Sequence, residues 1–297
     1  MFQIVFIFKT CLCLFPDIME TLKKQPPEML TGIDGLDEEL ITISGKYISI
    51  PAESSCGKTA LCTTIAANRI VKGGAVLFVS LEVGEETMVR RFASHFANRF
   101  SPSVDVPVQP KYGIDALSDE KIDALKGGIE LLDQCKHNLY LVDGSEEYGG
   151  KDIHYVERIE KKAKEISMKH GMPCLVICDY FQLLLTREAT GTATEKFDTL
   201  SHKLARMAHE TGCAVIVPCS TNKDGSIRGS GQVNFDNDIT LQLVIDQEEC
   251  SESDLYSLAV RPMIAHVKKN RDGRAQARVK LDYRPASHRF INRGGEF

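Results

Sequence analysis

Apolar positions along the chain fall into two kinds of run. Short runs at 46–50, 75–81, 139–142, 173–179 and 214–219 are apolar at almost every position. That pattern predicts strands buried on both faces. Between them lie longer stretches with apolar residues three or four apart, at 59–71, 85–100, 118–135, 153–170 and 195–212. These predict helices. Met88, Phe92, Phe96 and Phe100 recur at four-residue spacing and are expected to face a core. Ser118 is placed to cap its helix, and Lys72-Gly73-Gly74 to end one in a left-handed turn. Residues 29–40 read as a turn at Thr31-Gly32 leading into a short helix. Strand–helix alternation of this kind predicts a mostly parallel sheet covered by helices. From Ile239 the pattern changes to strands alone, at 239–245, 257–267, 277–281 and 289–292. These are expected to add to one sheet edge in antiparallel fashion.

The stretch from Tyr47 to Thr59 gives this frame its chemistry. It reads as a strand, a tight loop and a helix start, and it closes on Gly57-Lys58-Thr59. Backbone N–H groups of such a loop (Ser54, Ser55, Cys56, Gly57) surround a phosphate, and the helix N-terminus adds its positive dipole end. Lys58 would reach the β- and γ-phosphates of ATP, and the Thr59 hydroxyl would hold Mg²⁺. Ala52 stands where the full pattern has its first glycine, and alanine tolerates positive φ less well. Two carboxylates end neighbouring apolar runs. Asp179 is expected to bond Thr59 or a Mg²⁺-bound water, and Glu82 to polarise the water that attacks the γ-phosphate. The phosphate loop, Glu82, Asp179 and 220–222 all fall at the carboxyl ends of expected strands, where such folds bind ligands.

Composition narrows the class. The chain has 297 residues, 43% hydrophobic and 26% charged, with net charge -5. A uniformly basic nucleic-acid coat is excluded, while a local basic channel is not. The ten cysteines show no zinc-type pairing and mostly sit in apolar runs, which suits a reducing cytoplasm. Cys174 and Cys178 read as core thiols. Cys56, inside the phosphate loop, is expected to expose the site to thiol reagents. Residues 1–15 are apolar but too short for a membrane span and lack a signal-peptide cleavage pattern. A translated upstream region or packing arm is the simpler reading, followed by a Pro26-Pro27 linker. The expected organisation is an extension and linker at 1–28 and one domain at 29–297.

Four further motifs, in order, carry a resemblance. They are Ser80-Leu81-Glu82, Cys178-Asp179-Tyr180-Phe181-Gln182-Leu183, Ile227-Arg228-Gly229-Ser230-Gly231 running on to Asp236-Asn237-Asp238, and Lys268-Lys269-Asn270-Arg271-Asp272-Gly273. With the phosphate loop, they resemble the RecA-like motor domain of the DnaB-type replicative helicases from about Thr31 to Asn292. The resemblance implies a RecA-like P-loop ATPase fold of the α/β class. Its mostly parallel sheet would be flanked by helices, with antiparallel C-terminal strands. It makes Glu82 the catalytic base and gives Lys58, Thr59 and Asp179 to ATP and Mg²⁺. Lys269 and Arg271 become cationic fingers that reach the neighbouring subunit's γ-phosphate. Arg228, Gly229 and Gly231 become a loop that grips single-stranded DNA. On its own, the basic run at 268–284 is a solvated face.

The function implied is Mg-ATP hydrolysis at subunit interfaces, driving translocation on single-stranded DNA in replication. The expected partners are a homo-oligomer, as a hexameric ring, and a primase or helicase loader, in a bacterial or phage-encoded cytoplasmic setting away from membranes. A RecA/RadA-type recombination ATPase and a non-hydrolysing ATP-binding scaffold are the alternatives. The chain departs from the family at Ala52, at Gly229 (a Glu in the family) and at Ser220. In the family a Gln at that last position senses the γ-phosphate and couples it to the DNA loop. The N-terminal collar domain of typical members has no counterpart in residues 1–28.

Overall fold

The computed structural model describes residues 29–144, 150–188, 191–222, 226–228, 232–250 and 258–293. The expectations for 1–28, and the residues Gly229 and Gly231, lie outside them.

Nine strands form one sheet in the order β3-β2-β4-β5-β1-β6-β7-β8-β9. The strands are β1 Tyr47–Ala52, β2 Val76–Ser80, β3 Leu139–Asp143, β4 Leu175–Asp179, β5 Ala214–Ser220, β6 Ile239–Ile245, β7 Arg261–Asn270, β8 Ala277–Arg284 and β9 Arg289–Asn292. The first six run parallel, and β7, β8 and β9 add as antiparallel neighbours. The sequence pattern had placed β6 among the antiparallel additions. It instead pairs parallel with β1 through Ile48 and Ser49. Side-chain pattern reports which faces are buried, not strand direction, so periodicity could not separate the two cases.

Successive strand residues enter opposite cores. Ile48 and Ile50 of β1, Phe78 of β2 and Ile177 of β4 pack on one face, against α1 (Asp34–Leu40), α2 (Lys58–Val71) and α3 (Glu85–Phe100). Leu77, Val79, Val176, Cys178, Val215 and Val217 pack on the other, against α5 (Val156–His170) and α6 (Ala193–Thr211). This is why the strands read as continuously apolar. Met88, Phe92 and Phe96 are buried as expected, but Phe100 is 57% exposed at the end of α3.

Helix boundaries follow local chemistry. Ser118 Oγ accepts from the Lys121 N–H and starts α4 (Asp119–Cys135). Thr192 and Glu195 form a reciprocal capping box at the start of α6, and Gly212 ends it in the left-handed region. α4 lies so close to α3 that a Cβ on Gly128 would sit 2.2 Å from the Ala97 nitrogen. A short helix α7 (Val233–Asp236) precedes β6.

Candidate functional site

β1 delivers the chain to the phosphate loop, and α2 departs from it. Ala52 is the last residue of β1, buried and paired with Ser220. It is not among the positive-φ positions, so replacing glycine there strains nothing. The left-handed residues are Ser55 (φ 66°) and Gly57 (φ 86°). A Cβ on Gly57 would also meet the Phe290 ring at 3.0 Å and the Tyr283 ring at 3.1 Å. These two rings stack with centroids 4.8 Å apart. Glycine is required at Gly57 on both counts.

The loop borders a cleft of about 570 Å³ at the carboxyl ends of the parallel strands. Ser54, Ser55, Gly57, Lys58, Thr59, Glu82 and Asp179 all line it, which brings the expected ATP residues together except Cys56. Lys58 Nζ curls over the loop and donates to the carbonyls of Ala52 (2.9 Å) and Glu53 (2.8 Å). Burial lowers its pKa, partly offset by Cys56, Asp179 and Glu82. Thr59 Oγ1 donates to Asp179 Oδ2 at 2.7 Å. Asp179 is 2% exposed, and burial raises its pKa against the Thr59 hydrogen bond. Glu82 is exposed at the end of β2, its carboxylate open to the cleft.

Cys56 departs from expectation. It is 6% exposed, packs in the core beneath the loop, and burial pushes its thiol pKa up. A shielded, protonated thiol is a poor target for thiol reagents. The eight described cysteines are all buried and unbridged, Cys174 and Cys178 included.

The resemblance placed Arg228 on a DNA loop, yet it also lines this cleft. Its N–H donates to the Ser220 carbonyl at 2.9 Å. Gln182 clasps the same join, donating to the carbonyls of Arg228 (3.0 Å) and Ser220 (3.4 Å) and accepting from the Ser220 N–H (3.3 Å). The backbone of β5 thus connects the cleft to the segment containing Arg228, whatever side chain stands at Ser220.

Lys269 and Arg271 are elsewhere. Antiparallel β7 carries them to the amino-terminal edge of the parallel strands, with Arg271 bonded to Asp238 beside Tyr47. Tyr47 and Ala52 are five residues apart along β1, about 16 Å at normal strand rise. Neither cation reaches the chain's own phosphate loop. Lys269 Nζ donates to the carbonyls of Asn234 (2.8 Å), Phe235 (3.1 Å) and Asn237 (2.6 Å) around the end of α7. Arg271 donates to the Phe235 carbonyl at 2.6 Å. A register break opposite Thr240 and Leu241 leaves Lys268 unpaired and sets the aim of Lys269.

Sequence reasoning missed two cleft cations, Arg91 and Arg261. Arg91 projects from α3 on the first turns after Glu82. Burial lowers its pKa, offset by Asp179, Tyr283 and Glu82. Arg261 opens β7, and its Nη1 lies 3.5 Å from the Ser55 carbonyl. The spacing of Arg91 from Glu82 was a usable signal, but only the sheet order reveals Arg261.

Among the described residues no group of three or more His, Cys, Asp or Glu side chains could enclose a metal. A hydroxyl and one carboxylate form a partial oxygen shell. That suits Mg²⁺, which keeps waters and takes phosphate oxygens as its remaining ligands. No helix among the described residues is long and apolar enough to cross a membrane.

Comparison with known proteins gives this arrangement a family. The fold is similar to a solved structure described as an ATPase domain, with a TM-score of 0.77 and 22% identity over 96% of this chain and 98% of that one. A DnaB-like replicative helicase, solved in a study of its interactions with primase, gives 0.75 and 22% over 96% of this chain and 66% of that one. A probable replicative DNA helicase from Trieres chinensis is 24% identical over 257 residues, 79% of this chain. The chain spans about half the length of that relative (52%). The fold is thus the RecA-like one that the resemblance implied. Residues 29–292 match the family described as the DnaB-like helicase C-terminal domain, and the chain belongs to that family.

Proposed function

We propose that the chain is the motor of an ATP-dependent DNA helicase, hydrolysing Mg-ATP between subunits of a hexameric ring and translocating on single-stranded DNA during replication. One observation carries this reading. Two sets of candidate ATPase residues lie at opposite ends of one sheet. Lys58, Thr59, Glu82 and Asp179 stand at the carboxyl ends of the parallel strands, and Lys269 and Arg271 at the amino-terminal edge. A second copy supplies the missing half when the two edges face each other.

In that assembly the N–H groups of residues 54–59 bind the β- and γ-phosphates, and Lys58 leaves its loop carbonyls to neutralise them. Thr59 and Asp179 would hold Mg²⁺, which would supply positive charge to the phosphates. Glu82, open to the cleft, orients and deprotonates the attacking water. Arg271 and Lys269 of the adjoining copy stabilise the transferring phosphoryl group, as fixed cations do where charge develops. Single-stranded DNA binds at Arg228 with Gly229 and Gly231, contacting phosphates and not bases. The Gln182 clasp on Ser220 and Arg228 links that segment to the cleft. A primase or helicase loader is the expected protein partner, in the cytoplasm of a bacterial or phage-infected cell.

The test is subunit mixing. Arg271→Ala and Glu82→Gln should each abolish hydrolysis alone. Mixed together, they should recover a substantial part of it, because some interfaces pair an intact Glu82 with an intact Arg271. Absence of recovery across all mixing ratios contradicts action between subunits.

A further inference from the structure

Lys269 and Arg271 are both held by one short stretch of chain. Among the described residues, every side-chain partner of either cation lies within 234–238. The Phe235 carbonyl accepts from both. Whatever fixes this stretch therefore fixes the two cations. Asp238 ties it to the start of β1, where its carboxylate accepts from the Tyr47 N–H at 2.9 Å. A second tie lies deeper in the sheet, at Asn237.

Asn237 is fully buried. Its Nδ2 donates to Ser49 Oγ of β1 at 2.6 Å and to Thr240 Oγ1 of β6 at 2.7 Å. Its Oδ1 accepts from Lys269 Nζ at 3.1 Å. A lysine only donates, so the amide has one workable orientation, with oxygen toward the ammonium and nitrogen toward the two hydroxyls. Both amide hydrogens and the oxygen are thus satisfied, as burial demands. β1 and β6 are paired neighbours, so the amide is anchored on two strands at once. An ammonium has three N–H groups. Four oxygens surround this one, the carbonyls of Asn234, Phe235 and Asn237 and the Asn237 side chain. One bond can pass to a phosphate oxygen while every N–H stays occupied. A neutral amide oxygen also competes with a phosphate less strongly than a carboxylate in its place would.

We propose that Asn237 is a positioning residue for the adjoining copy's ATP: its amide, anchored on Ser49 and Thr240, sets where Lys269 stands and leaves that ammonium free to exchange a partner. The inference rests on the reading of hydrolysis between subunits. It adds a residue that touches no nucleotide and acts through Lys269.

Asn237→Asp in the full chain tests it. The carboxylate keeps the shape, and the Ser49 and Thr240 hydroxyls can turn to donate to it, but it pairs with Lys269 as an ion. The kcat for ATP should fall at least about tenfold, with KM and fluorescent-nucleotide binding little changed. Subunit mixing supplies a readout that a general loss of structure would not give. Lys269→Ala mixed with Glu82→Gln is the control pair and should recover hydrolysis. Asn237→Asp should recover it with Glu82→Gln and fail to with Lys269→Ala, because its lesion lies on the Lys269 side of the interface. If Asn237→Asp does not fold, Ser49→Ala combined with Thr240→Val removes the anchors, leaves Asn237 and Lys269 in place, and should give the same mixing pattern. Recovery with Lys269→Ala, or no recovery with Glu82→Gln while the control pair recovers, or full turnover in the unmixed variants, overturns the inference and leaves the hydrolysis reading standing. Failure of the control pair removes that reading, and the inference with it.

Discussion

Lys58 opens α2 beyond the end of β1, Glu82 follows β2 and Asp179 ends β4, and their proposed roles can be separated by substitution. Glu82→Gln removes only the proposed proton acceptor. Hydrolysis should fall at least about 100-fold, the usual scale of general-base catalysis, while ATP binding persists. Phosphate release and a fluorescent-nucleotide titration check the two halves of that statement. Asp179 carries a stability cost as well. Burial raises its pKa in the folded chain, so the folded state holds its proton more tightly than the unfolded one. The penalty is present above the folded pKa and disappears as pH falls below the unfolded value. Asp179→Asn should therefore melt at the same temperature as the parent or higher at pH 7 without nucleotide. The difference should shrink as pH drops through the carboxylate range, and hydrolysis should be lost. These carboxylates were legible because each ends an apolar run. The orientation of Cys56 was not, since sequence places it in the loop but cannot say that its side chain turns to the core.

Elements obey their local signals except where two of them touch. Thr192→Ala breaks the capping box of α6 and should cost about 1 kcal/mol, read by urea denaturation. Gly128 tests the opposite case. Helix propensity makes Gly→Ala favourable by about 1 kcal/mol in an open helix. Here the added Cβ would collide with the α3 backbone at Ala97. Gly128→Ala should instead destabilise, by about 1–3 kcal/mol, as overpacked contacts do. Helix and strand positions were readable in sequence because burial sets their period. The parallel pairing of β6, the α3–α4 approach and the exposure of Phe100 were not, because each depends on what lies beside the element.

For the whole molecule, strand order decides what one copy can do. β7 returns antiparallel, so its start (Arg261) meets the phosphate loop and its end (Lys269) the far edge. The sequence motifs name most of these residues but cannot show that a single chain holds its phosphate loop and Lys269 apart. At Ser220 the side chain departs from the family, and the Gln182 clasp holds the same join through the backbone. The measurement that bears most directly on the account is steady-state ATP hydrolysis with and without single-stranded DNA, beside Lys58→Ala as the blank. Turnover that depends on Lys58 and rises when DNA is added is expected. Turnover no greater than the blank, with ATP still bound, would contradict it and leave a nucleotide-binding scaffold in place of a motor.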